Sequence, residues 1–239
     1  MSESFSLSAY WAQGDFVSHA VALILILLSV ASWAVIGAKG WQIYRLRRQS
    51  GQLVESFWQA ANFEDGLIRI QPIAPFAFIA QRAAQAVRHF NDHSTDAPHL
   101  DAHLSLGELV TRSLRQGISR ASSQLENGLT FLASIGSTAP FIGLFGTVWG
   151  IYHALASIGA TGQASLDKVA GPVGEALIMT AAGLFVAIPA VLAYNAFSRG
   201  LRVVSAELDA FATDLHTYFT TGRAIATTQG KGQRLTGVM

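Results

Sequence analysis

The chain has 239 residues, 51% of them hydrophobic and only 13% charged, against about 25% charged in a typical soluble domain. That balance excludes an ordinary water-soluble globule and points to lipid as the solvent. A net charge of +1 provides no global basic field for nucleic acid, and the absence of cysteine excludes disulfides and thiolate metal sites.

Residues 1–15 are polar and contain no Lys or Arg, so they lack the basic region of a cleaved signal peptide. Residues 16–38 carry no charge, and about 20 such residues span a hydrocarbon core of about 30 Å, which predicts a first transmembrane helix there. Tyr10 and Trp11 precede it and Trp41 and Tyr44 follow it, where amphipathic rings favour the headgroup layers. Arg45, Arg47 and Arg48 then mark a cytoplasmic flank.

Residues 39–128 form a region too long for a plain connector, and its composition predicts helices. Residues 53–61 are weakly amphipathic, Pro72 and Pro75 interrupt, and 76–90 resumes with Ala-rich helical composition. After Pro98, apolar residues from Leu100 to Leu125 mostly follow helical spacing, with Glu108 four before Arg112. A single helix from Leu100 to Ile158 would be about 85 Å long, with more than half of it projecting into the cytoplasm. His89 with His93, and His99 with His103, stand at i, i+4 spacing. Pro98 separates the pairs, and solvated side chains in a turn describe them better than a metal site.

Two further spans are expected, at 129–158 and 171–199, joined by a loop at 159–170 and followed by a C-terminal segment at 200–239. Leu201, Val204, Leu208, Phe211, Leu215 and Phe219 predict a helix that continues the third span and packs on the helix preceding Ala133. Beyond Thr220 there is little to bury, and disorder is expected. Of the sixteen Lys and Arg residues, all but Lys168 fall within 39–128 or 199–239. The positive-inside rule then places the N-terminus and the 159–170 loop in the periplasm and the C-terminus in the cytoplasm.

The second span carries a stripe of small residues: Ala133, Gly136, Pro140, Gly143, Thr147, Gly150, Ala154 and Ser157, spaced three and four apart on one helix face. The third repeats it with Ala176, Thr180, Gly183, Ala187 and Ala190. Bare faces let membrane helices approach closely, and a threonine hydroxyl can simply bond back to a carbonyl one turn earlier. A sharper reading has Thr147 and Thr180 lining a central pore in a ring of five or so identical subunits. Glu175 is the one carboxylate in the third span, with no other charge until Arg199. An ionisable group costs several kcal/mol in lipid, so either it binds protons reversibly, or it snorkels outward or bonds a neighbouring subunit.

STAPFIGLFGTVWGIYHAL (137–155) and VAGPVGEALIMTAAGLFVAIPAVLAYN (169–195) resemble the transmembrane signatures of the MotA/TolQ/ExbB proton-channel family, in wording closest to its ExbB branch. The resemblance implies an all-α integral membrane protein with three transmembrane helices, the second and third extended into a cytoplasmic helical bundle, assembled as a ring-forming homopentamer. It implies the bacterial inner membrane, a pore holding two ExbD helices, and proton flow that TonB transmits to outer-membrane receptors for iron chelates, haem or vitamin B12. By position it makes Glu175 the functional glutamate and Thr147 and Thr180 the pore threonines. The family's essential aspartate belongs to ExbD, so this chain alone is not expected to conduct protons efficiently.

Two alternatives stay open: a TolQ-type subunit of the Tol-Pal envelope system, and a structural scaffold in which these residues only hold subunits together. An intramembrane enzyme is disfavoured. There is no HExxH, and His19 and His153 have no serine or second ligand at a telling spacing. No cofactor, metal or nucleic acid is called for.

Overall fold

The computed structural model describes residues 15–93, 105–161 and 166–222. Every regular element among them is an α-helix: α1 Phe16–Trp58, α2 Phe63–Ile70, α3 Ala74–His93, α4 Leu106–Glu126, α5 Leu129–Thr161 and α6 Leu166–Thr221. Three stretches are long and apolar enough to cross a membrane, within Phe16–Trp58, Leu106–Ala156 and Val173–Thr221. The chain is thus an all-helical membrane protein with three candidate spans. The 1–14 segment, the 223–239 tail, and His99 and His103 lie outside the described residues, as does the side chain of His93. Among the described residues no group of His, Cys, Asp and Glu could hold a metal ion.

The helix boundaries follow from local chemistry. Asp15 caps α1, its carboxylate accepting the Ser18 N–H at 2.8 Å. With no proline before Trp58, α1 absorbs most of the separate segment expected at 53–61. Asn62 caps α2 by accepting the Asp65 N–H at 2.8 Å, and Glu64 and Asp65 lie in the first turn with Arg69 in the last, each sign matching the helix dipole. Pro75 falls in the first turn of α3, where its missing N–H has no helical partner to lose. Ser105 and Glu108 form a reciprocal cap on α4: the Ser105 N–H donates to Glu108 at 2.9 Å and the Glu108 N–H to the Ser105 hydroxyl at 3.3 Å. The Ser105 N–H and, at 3.0 Å, the Ser105 hydroxyl both donate to the Glu108 carboxylate and hold it below its usual range.

The single helix considered for 100–158 is not present. The chain turns at Asn127 and Gly128, with Gly128 at φ +88°, a left-handed conformation that only glycine adopts at little cost. A Cβ at Gly128 would also lie 3.3 Å from the Val35 side chain, a tight contact that Val35 would have to yield to. Asn-Gly is a turn signal, and it outweighs the helical periodicity around it. α6 does run unbroken from the third span to Thr221, as the spacing of Leu201 to Phe219 predicts. Both α5 and α6 reach into 159–170, and 162–165 lie outside the described residues.

The contacts divide the chain into two units, Met1–Arg45 with Glu126–Leu201, and Leu46–Leu125 with Arg202–Met239. In the first, α1 contributes Val21 and Leu25, α5 contributes Leu132, Ile135 and Ala139, and α6 contributes Met179, Val186, Ala187 and Ala190 to one buried cluster. In the second, Phe57, Ile70, Phe76, Ile79, Val110, Leu208, Phe211 and Leu215 are buried. Phe211 meets Phe57 and Phe76 at ring-centroid distances of 5.3 and 5.6 Å. Ser50 donates to Glu207 at 2.8 Å. Gly107 of α4 lies against His216 and Thr220 of α6, so the tail helix packs on α4 as expected.

The two small-residue stripes face each other in the first unit. A Cβ on Gly183 would lie 2.6 Å from the Ala139 carbonyl oxygen, and one on Gly150 would lie 2.9 Å from the Ala176 Cβ. Gly143 packs backbone to backbone on Gly183, and Gly136 packs on Val191. Side chains as small as alanine are excluded at the tightest of these points. Gly183→Ala is therefore expected to destabilise the protein by about 1–3 kcal/mol in reversible detergent unfolding. Gly37→Ala, where nothing lies within 4 Å, should be neutral or slightly stabilising.

Candidate functional site

The glycine contacts bring α6 within hydrogen-bond reach of Thr147. Thr147 is only 6% exposed, and its hydroxyl lies 2.8 Å from the Ala176 carbonyl of α6, 3.2 Å from the Gly143 carbonyl of its own helix, and 2.6 Å from the Thr180 hydroxyl. A hydroxyl has one proton to donate. With the Thr147 proton on Ala176, the shorter carbonyl contact, Thr180 must donate to Thr147, giving a directed chain from Thr180 through Thr147 to a backbone oxygen. Reversing the central bond requires only rotation of both hydroxyls. The bonding back to Gly143 expected of an isolated threonine is present but is the longest of the three contacts.

Gly143, Ala176, Gly183 and Ala187 are buried, and Gly136, Pro140 and Gly150 are half-buried. Pro140 sits inside α5, where its ring leaves the Gly136 carbonyl without a helical donor. Ser134, Ser137 and Thr138 lie on the exposed side of α5 and donate to carbonyls of their own helix at 2.7–3.0 Å. They are satisfied without a partner from elsewhere.

Glu175 is half-buried and adjacent in sequence to Ala176, whose carbonyl closes the hydroxyl chain. Among the described residues no hydrogen bond or ion pair reaches it. The structure therefore joins Thr147 to Thr180 directly, and brings Glu175 to the same turn of α6 as the Ala176 carbonyl that accepts from Thr147, without bonding Glu175 to either threonine.

Periodicity does not register one further group. Asp15, the cap of α1, accepts a hydrogen bond from the Trp149 indole N–H of α5, and His153 lies beside it. A helix-capping aspartate is legible from Asp15 and Ser18, but no local signal links Asp15 to a tryptophan 134 residues away.

The family model for the MotA/TolQ/ExbB proton channel family matches residues 79–210, which include Thr147, Glu175 and Thr180. The chain belongs to the MotA/TolQ/ExbB proton channel family. It is 49% identical over 216 residues to the biopolymer transport protein ExbB of Xanthomonas campestris, covering 89% of this chain and 85% of that one. It is 42% identical to ExbB of Neisseria meningitidis, over 88% of this chain and 96% of that one. The Tol-Pal system protein TolQ of Haemophilus influenzae is more distant, at 33% identity over 85% and 91%. For a MotA/TolQ/ExbB member, a buried hydroxyl bonded to a half-buried one between two candidate spans is a polar feature in a segment that otherwise packs by small residues.

Thr147→Val keeps the shape of the side chain and removes the bonds to both Thr180 and Ala176. A double-mutant cycle of Thr147→Val with Thr180→Val, read by detergent unfolding, is expected to give a coupling of about 0.5–1.5 kcal/mol. Additive effects would mean that the two hydroxyls do not depend on each other.

Proposed function

We propose that this chain is an ExbB-type energiser subunit of the bacterial inner membrane, with its N-terminus in the periplasm and its C-terminus in the cytoplasm. Identical subunits, five on the family pattern, form a ring around ExbD helices, and protons passing through it drive TonB-dependent uptake of iron chelates, haem or vitamin B12. The observation that carries this reading is the Thr147–Thr180 hydroxyl pair at 2.6 Å, inside the segment that matches a proton channel family.

The proposed division of labour follows from what each group can do. Hydroxyls have no charge to give up near neutral pH, but they can pass a hydrogen bond from one partner to the next, or stabilise a hydronium or a protonated carboxyl. Thr147 and Thr180 serve as that relay surface. Glu175 is the group that can gain and lose a proton. Its charge in an apolar stretch is costly unless protonated or paired, so loading and unloading it bias the packing around α6. The second carboxylate needed for a complete path is supplied by ExbD. The reaction is transport, with no bond made or broken in a substrate.

The TolQ relative, at 33% identity, favours a second reading, a Tol-Pal subunit with the same proton handling and a different output. Complementation separates the two. In a strain lacking its own ExbB the chain should restore growth on iron chelates, whereas restored detergent resistance in a strain lacking TolQ, without iron-chelate growth, would assign it to Tol-Pal. Within the restored strain, Glu175→Ala, and Thr147→Val combined with Thr180→Val, are expected to abolish uptake while the complex still assembles with ExbD. Loss of assembly in these variants would instead make the residues structural.

A further inference from the structure

At the outer end of the first unit, α1 and α5 meet through charge and polarity as well as apolar packing. The Asp15 carboxylate divides its two oxygens: Oδ1 takes the Ser18 N–H of α1 at 2.8 Å, and Oδ2 takes the indole N–H of Trp149 on α5. One turn beyond Trp149, the His153 Nδ1 lies 3.9 Å from the same Oδ2. That is too long for a hydrogen bond but within ion-pair range once the imidazole is protonated. The Trp149 ring packs beside the imidazole with centroids 5.3 Å apart and planes 33° from parallel, an arrangement in which a ring face attracts a cation. The indole thus holds the anion by its N–H and faces the prospective cation with its π-system.

From these contacts we propose that Asp15, Trp149 and His153 form a proton-binding clasp, in which protonation of His153 tightens the attachment of the start of α1 to α5. His153 is six residues beyond Thr147, about 9 Å further along α5, so the clasp is separate from the hydroxyl pair. Its ligand is a single proton, and its side chains are partly open on the single chain, at 57% exposure for His153 and 29% for Asp15.

The sign of the effect follows from which partner titrates. Burial works to raise the Asp15 carboxyl, but the bonds from Trp149 and Ser18, and the neighbouring His153, together hold it down to about 2 against an ordinary 3.8. Asp15 is therefore an anion throughout the pH range of a living cell, and its own contribution is lost only as pH falls from about 3.8 toward 2. Histidine is the side chain that ordinarily changes charge between pH 5 and 8. The ion pair exists only with the imidazole protonated, so acid favours it. Among the residues whose side chains are described, the other titratable groups at this end are His19, one turn along α1, Tyr152 beside His153, and Glu175 on α6. His19 is the one that must be separated from His153 by experiment.

The test is amide hydrogen exchange of the first turns of α1 in the full chain with its partner in lipid nanodiscs, at about pH 5.5 and about pH 7.5, corrected for intrinsic exchange. The wild type should show exchange at Ser18 and His19 slowed about two- to fivefold by acid, the range of an exposed ion pair. His153→Gln, on a side chain 57% exposed, should remove the acid effect, as should Asp15→Asn, while His19→Gln should keep it. An acid effect that survives His153→Gln, is lost in His19→Gln, or is absent from the wild type overturns the proposal.

Discussion

The contact between Gly143 and Gly183, backbone on backbone, is the constraint on which the rest of the first unit depends. A Cβ on Gly143 would lie 3.1 Å from the Gly183 Cα, and one on Gly183 would lie 2.6 Å from the Ala139 carbonyl oxygen, so the two helices approach too closely here for either position to carry a side chain. In lipid, where apolar side chains gain nothing by leaving one hydrocarbon for another, this proximity is a main source of helix association. It also decides the polar chemistry one turn away. Only because α6 comes this close can Thr147 reach a carbonyl on the neighbouring helix and a hydroxyl beside it.

The cost of polar groups in a membrane explains which of them are paired. Thr147 is buried and has an acceptor on each side, whereas Ser134, Ser137 and Thr138 are exposed and close their bonds within α5. Asp15 lies just before α1 begins, where a charge costs less and favours the helix N-terminus. Glu175 differs from all of these, being half-buried without a bonded partner among the described residues.

Much of the fold is legible in the sequence because hydropathy and helical period are local properties. The three apolar stretches, the two stripes and the continuation of α6 past Arg199 can be read without coordinates. The turn at Asn127–Gly128 was legible in principle, but the periodic run of Leu114, Ala121 and Leu125 masks it, since periodicity reports a helix face and not a break between two helices sharing that face. The site was legible as residues and only partly as geometry. A stripe identifies the face that carries Thr147 and Thr180, but not what that face meets. Within one chain the two threonines meet each other, a contact between residues 33 apart that no local pattern encodes. The Asp15, Trp149 and His153 group depends on still longer sequence separation, and His153 read alone has no visible partner.

The proposed proton path requires the Thr180 side of α6 to meet water in the assembled protein. The chain contains no cysteine, so single cysteines can be introduced without background and probed with a small, membrane-impermeant thiol reagent in the assembled complex. Thr180→Cys is expected to react, and Phe185→Cys, on the apolar face and 71% exposed in the single chain, is expected to stay inert in lipid. An inert Thr180→Cys beside a reactive Phe185→Cys would place water on the opposite face of α6 and contradict the account.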